Sequence, residues 1–235
     1  MLMSTGQMYG NNPAPSPLAD PITYIGNNNS VYSSGVGTWA SVPIATTDAS
    51  DIVLVGLVRE SSFGSTSTNV TVNGTVCTLW GPGALLAVGA AAGYIEFWRC
   101  KPGALATANI VSNASALANA CNLFVWVLRG QSNTPVDEVA SSAVTATTIA
   151  LNDIATAVGG AVVAIGICSP PATGYTESWT GGDAVVEDAD VTDGSGNYRI
   201  VACHIAPTSA TTTDDLTLTL ASSKLNIGGA ISFGP

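Results

Sequence analysis

The sequence predicts an all-β protein: one antiparallel, jelly-roll-like β-sandwich carried behind an extended N-terminal arm. Three features of the chain point there. Roughly ten to twelve short runs rich in Val, Ile, Thr and aromatic residues are separated by clusters of Gly, Pro, Asn and Ser, the spacing of a sandwich or barrel. The most apolar runs lie near residues 52, 124, 162 and 228, so central strands come from both halves of the chain and imply non-local pairing within one sandwich. Pro13, Pro15, Pro17 and Pro21 mark off a first segment suited to neither helix nor central strand.

Residues 1–30, MLMSTGQMYGNNPAPSPLADPITYIGNNNS, are read as the arm. Its apolar points, Met8, Tyr9, Leu18, Ile22 and Tyr24, suit contacts along a neighbouring subunit; the alternative is an arm folded back over its own domain. Residues 31–235 are read as the sandwich. Asp51–Glu60, DIVLVGLVRE, is a β-branched run suited to a strand buried on both faces. In NVTVNGTVCTLW, Asn73-Gly74 lies between two alternating segments, the strongest short-range signal for a type I′ hairpin. Gly93–Lys101 alternates Tyr94, Glu96 and Trp98 against Ile95, Phe97 and Arg99. Ala104–Ser112 is a weaker strand. Asn122–Arg129, NLFVWVLR, is apolar on both faces and central. Ala143–Leu151 is Thr-rich and alternating, and Gly160–Cys168, GAVVAIGIC, is fully buried. Gly174–Val186, Tyr198–Ala206, Leu216–Leu220 and Asn226–Phe233 complete the set. Ala114–Ala120 is the one helix candidate; it is too short and too rich in Ser and Asn to stand alone, and reads as a loop or strand edge.

Composition narrows the function. Charged residues are 9% of the chain against about 25% in a typical globular protein, while apolar residues are 46%. The surface is therefore covered by Ser, Thr, Asn, Gly and Ala, with little repulsion between copies, which suits packing against other copies or a larger scaffold. The net charge is −10, and the six basic residues, Arg59, Arg99, Lys101, Arg129, Arg199 and Lys224, are scattered singly. Binding to nucleic acid draws on clustered Lys and Arg, so a direct nucleic-acid partner is excluded. The first basic residue is Arg59, which leaves no positive n-region for a signal peptide, and no apolar run reaches the roughly 20 residues of a membrane span. A protein made and left in the cytosol is expected.

The chemistry-bearing residues are few. Cys77, Cys100, Cys121, Cys168 and Cys203 show no paired metal-ligand spacing, and read as small buried hydrophobes; a disulfide between facing strands stays open, with no pair named. His204 is the only histidine. It lies in the strand YRIVACHIAP on the face opposite Cys203 and Ile205, as a packed or solvated side chain rather than a catalytic base. Ser195, in DGSGN, fits a hairpin turn better than a nucleophile elbow. Glu187, Asp188, Asp190 and Asp193 are read as one turn-rich acidic loop. Paired carboxylates suit glycoside hydrolysis, but no convergent partner is visible. Asp188, Asp190 and Asp193 are weak calcium candidates, because alternate hard oxygen ligands suit that ion while the EF-hand pattern fails at the required glycine. No phosphate-binding or dinucleotide motif occurs, and no cofactor is expected. Tyr175 and Trp179, in GYTESWTGGD, are candidates for stacking on a sugar ring; plugging the end of the sandwich is the other reading.

The order of the strand motifs resembles a β-sandwich module of bacteriophage virion proteins and some bacterial surface proteins. DIVLVGLVRE resembles that module's opening strand, NVTVNGTVCTLW its second hairpin, GYIEFWRC its next strand, and NLFVWVLRGQSNTPVDEVA a later strand and turn. Gly159–Cys168, GYTESW, YRIVACHIAP and TLTLASSKLNIGGAISFGP follow in the same order. The resemblance covers about residues 31–235. It departs from the family where the usual Asp-x-x-Gly-Asn turn is the tighter Asn73-Gly74, and where the last strand closes in SFGP. It implies a jelly-roll-like module without catalytic residues. It also implies a non-enzymatic virion protein that decorates the capsid or serves as a head accessory, with copies of itself and a major capsid or tail protein as partners. A glycan-binding adhesin on a phage tail or fibre, with a host glycan as partner, is the alternative.

Overall fold

The computed structural model describes residues 21–30, 36–46, 48–61, 67–88, 91–114, 120–169, 177–193, 196–208 and 213–235. Among them are sixteen strands and no helix. Three antiparallel sheets stack in a sandwich-like, all-β fold that does not close into a barrel. The middle sheet has the order β1-β9-β3-β7-β6, from Ile22–Ser30 (β1), Ile52–Ser61 (β3), Thr78–Val88 (β6), Ala91–Cys100 (β7) and Ala120–Leu128 (β9). On one side lies a four-stranded sheet, β2-β8-β4-β5, from Val36–Val42 (β2), Ser67–Val72 (β4), Thr75–Val76 (β5) and Ala108–Ala114 (β8).

The sheet on the other side has the order β10-β16-β12-β15-β14. Its strands are Pro135–Ala140 (β10), Ala161–Ser169 (β12), Val185–Thr192 (β14), Arg199–Ile205 (β15) and Thr213–Phe233 (β16). Val144–Ala155 (β11) and Ser178–Thr180 (β13) also pair with β16.

The layering explains why several strands are apolar on both faces. In β3 and β9, Ile52, Leu54, Phe124, Trp126 and Leu128 meet the β12–β15–β16 sheet, while Val53, Val55, Leu57, Leu123, Val125 and Val127 meet Val70, Val72 and Ile110 of the four-stranded sheet. The same alternation splits β12. Val163, Ile165 and Ile167 face the middle sheet; Val162, Ala164 and Cys168 face outward, under a cover made by Ile149, Leu151, Trp179, Leu216 and Leu218. Burying each such aliphatic side chain stabilises by about 1.5–3 kcal/mol. A two-sheet sandwich would leave half of these side chains in water; the extra layers are what the both-face apolar pattern requires.

Asn73-Gly74 forms the hairpin turn between β4 and β5, with φ of 48° and 84°, the left-handed pair a type I′ turn needs. The chain then breaks at Cys77 and passes from the four-stranded sheet into the middle one as β6.

Three expectations are revised. The two halves of the chain do not share a sheet: the middle and four-stranded sheets come from residues 22–128, and the third from residues 135–233. They meet face to face through one core rather than edge to edge. Residues 22–30 are not part of a free arm. They form β1, antiparallel to β9, and Ile22 lies in the core at 2% exposure, because Pro21 ends the proline-rich stretch and Ile22 lines up opposite Leu128. Leu216–Leu220 and Asn226–Phe233 are one continuous strand, β16, whose two halves pair with different neighbours. The helix candidate at 114–120 falls almost wholly outside the described residues.

Candidate functional site

The polar chemistry concentrates where β14 and β15 meet the middle sheet. These two strands form a hairpin around the DGSGN segment, with Val186 opposite His204 and Asp190 opposite Val201. Between Glu187 and Ala189 the register slips by one residue, leaving Asp188 as the extra residue of a β-bulge. The bulge re-aims the carboxylate inward. Asp188 accepts from Trp126 Nε1 on β9 at 2.7 Å through Oδ2, and its Oδ1 lies 2.7 Å from His204 Nδ1 on β15. The side chains of Asp188 and His204 are 2% and 7% exposed.

Tyr24 completes the group. It lies opposite Trp126 in the β1–β9 ladder, and the two rings are 5.6 Å apart and tilted by 46°. Its hydroxyl is buried without a hydrogen-bond partner. Burial, then the nearby charge of Asp188, push its phenol well above the usual range.

The remaining carboxylates of the hairpin have separate uses. Asp190 binds Arg199 through two contacts of 2.6 Å. Asp193 Oδ1 accepts from the backbone N–H groups of Asn197 and Tyr198 at 2.8 Å each, closing the turn. Asn197 in turn donates to Glu60 Oε1 at 2.6 Å, tying the turn to the end of β3. The acidic loop expected here is therefore a strand and its turn. The calcium reading of Asp188, Asp190 and Asp193 fails for the same reason: the three carboxylates face three different partners and do not converge. Among the described residues no group of three His, Cys, Asp or Glu side chains is placed to hold a metal ion.

A second buried network lies between the middle and four-stranded sheets. Glu96 accepts from the backbone N–H of Ser67 at 2.8 Å and from Trp98 Nε1 at 3.1 Å. Arg59 donates to Ser67 Oγ at 3.1 Å. Arg59 and Glu96 are 0% and 2% exposed, so both charged side chains lie inside.

The chemical capacity of the main group is limited. Asp188 and His204 have the orientation of an acid–imidazole pair, and among the described residues no hydroxyl or thiol is hydrogen-bonded to His204. Its geometry is that of a clamp, one carboxylate joining the β14–β15 hairpin to the middle sheet. A cleft of about 160 Å³ elsewhere, lined by Ile25, Asn27, Ser41, Pro43 and Val125, contains no titratable side chain.

The other sequence candidates are placed as follows. Trp179 is not available to a sugar. It is 6% exposed in the outer core, and its Nε1 donates to Val201 O at 3.3 Å, because β13 pairs with β16 and turns the indole inward. Of the residues expected to contact a neighbouring subunit, Ile22 lies in the core and the half-buried Tyr24 packs against Trp126. Met8, Tyr9, Leu18, Tyr175 and Ser195 lie outside the described residues. Sequence reasoning missed Trp126 and Asp188 as partners. The β14–β15 register carries a signal for His204 with Asp188; none links Asp188 to a tryptophan 62 residues away.

Comparison of the chain with protein-family models, with curated proteins and with solved structures found no match.

Proposed function

We propose that the chain is a non-enzymatic structural protein of a bacteriophage particle, a capsid decoration or head-accessory protein that displays its sandwich and is anchored by the residues ahead of Ile22. Its partners on this reading are copies of itself and a major capsid or tail protein, and it reaches the virion from the host cytoplasm. The observation that carries the reading is where the few charges go. Of the six basic residues, Arg59 and Arg99 are buried and Arg199 is held by Asp190. Glu60, Glu96, Glu177 and Asp193 are buried as well. The outer surface is thus still more weakly charged than the composition implies, which favours close packing of copies and disfavours nucleic acid. The strand-motif resemblance adds the phage setting: its quoted segments coincide with β3, the β4–β6 crossover, β7, β9, β12, β15 and β16.

On this reading the anchoring segment is residues 1–20, because Ile22–Ser30 pairs with β9 at the edge of the middle sheet. Antibody raised against the folded chain, applied to particles purified from cells producing the protein, should label them regularly and in many copies. Clean particles that carry no label would reject the assignment.

A further inference from the structure

We propose that Cys77 and Cys100 are a disulfide-forming pair, oxidised by a low-molecular-weight disulfide such as glutathione disulfide. Two independent observations support this. The sulfurs are 3.0 Å apart, inside the separation of two non-bonded sulfur atoms. The β6–β7 ladder, independently, begins with Thr78 opposite Arg99, so Cys77 and Cys100 are the next pair in the same antiparallel series. Directly opposed residues of an antiparallel pair have Cα atoms about 4.5 or 5.5 Å apart, within the range a disulfide spans.

The ladder registers place the other cysteines apart along their strands. Cys168 lies opposite Arg199 and Cys203 opposite Ala164 on the same two strands, four positions apart, which at about 3.3 Å per residue puts them roughly 13 Å from bonding. Cys121 lies opposite Arg59, six positions along β3 from Val53, the partner of Cys100.

The position gives the bond a structural role. Cys77 is the single residue between β5 and β6, where the chain leaves the four-stranded sheet for the middle sheet, and Cys100 is the last residue of β7. A bond between them would lock that crossover to the base of the β6–β7 hairpin. Both side chains are buried, at 4% and 6% exposure, and the contact with Cys100 and burial push the Cys77 thiol up. Exchange therefore runs while the hairpin is open, and the closed fold then shields the product. In the exchange one thiolate attacks glutathione disulfide and releases one glutathione. The second thiolate attacks the mixed disulfide and releases another. The protein loses two protons and two electrons, and the glutathione disulfide gains them.

The test refolds the full chain in excess glutathione disulfide, or in dithiothreitol. Each product is then denatured without reductant, alkylated and mapped by mass spectrometry. The oxidised product should show three alkylated thiols of the five present, with Cys77 and Cys100 in one cross-linked peptide pair. Its melting temperature should exceed that of the reduced product by roughly 6–12 °C, from the loop it closes and the size of the chain. Cys77→Ser and Cys100→Ser should abolish that difference, and Cys121→Ser should keep it. Five alkylated thiols in the oxidised product, or a cross-link between any other two cysteines, would overturn the assignment whether or not the serine variants fold.

Discussion

Asp188→Ala should be the most damaging single change at the hairpin, and its cost follows from the geometry. The substitution removes one buried carboxylate that serves two partners, Trp126 and His204, each at 2.7 Å. A hydrogen bond to a charged group contributes about 1.5–3 kcal/mol, and here two are lost while their partners stay buried. The expected loss is about 3–5 kcal/mol, which for a chain of this size lowers the melting temperature by roughly 6–20 °C. Asp188→Asn keeps the shape and an acceptor for Trp126 Nε1 but removes the charge; about 1–3 kcal/mol is expected. Asp190→Ala is the control. Asp190 and Arg199 are 14% and 16% exposed, so their ion pair is partly screened and its loss should cost about 1 kcal/mol or less. The assay is urea unfolding followed by tryptophan fluorescence and circular dichroism. If Asp188→Ala cost under about 0.5 kcal/mol, or less than Asp190→Ala, the clamp would not hold the layers together.

Three further changes test other parts of the fold. Trp179→Ala should destabilise by about 3–5 kcal/mol in the same urea assay, as loss of a large core side chain does; near-wild-type stability would return this indole to the surface. Gly56→Val should cost about 1–3 kcal/mol on thermal melting, because even a Cβ there would lie 2.7 Å from Ile165 Cδ1 and 2.9 Å from the Trp126 ring; a tolerated valine would show the core to be looser than described. Tyr198 tests the alkaline limb. Burial, then Glu60 and Asp193, raise its phenol to about 12. The folded state therefore holds this proton more tightly than the unfolded chain, so the contribution is full below about pH 10 and is lost as pH rises toward 12. Tyr198→Phe should flatten the fall in stability between those values and leave pH 7 stability within about 0.5 kcal/mol, since the hydroxyl has no partner. An unchanged alkaline slope would show that other groups set it.

Much of the fold was legible because burial on two faces leaves a two-faced apolar pattern. DIVLVGLVRE and GAVVAIGIC read as fully buried strands, and they are β3 and β12. Asn73-Gly74 was legible because few dipeptides accept two consecutive left-handed residues. The extra layers were not, since a strand pattern shows that both faces are covered without showing by what. The acidic segment was misread for a related reason. Composition favours a solvated loop for VVEDADVT, but as the edge strand β14 it pairs with β15 and its carboxylates protect that edge. DGSGN does read as a hairpin turn, but the one-residue bulge that aims Asp188 inward leaves no mark in the sequence. The link from Asp188 to Trp126 joins different sheets, and no local spacing encodes such a contact. Trp179 shows the same limit: an indole beside glycines reads as a loop aromatic until β16 is seen to run beside it.

The most direct measurement compares the full chain with residues 21–235 in two readouts, far-ultraviolet circular dichroism and co-sedimentation with phage particles stripped of this protein. The shortened chain should keep an unaltered β-type spectrum and the full chain's melting temperature, yet no longer sediment with particles that the full chain saturates. Undiminished sedimentation would show that the residues before Ile22 are not the anchor, and failure of the full chain itself to sediment would contradict a place on the virion.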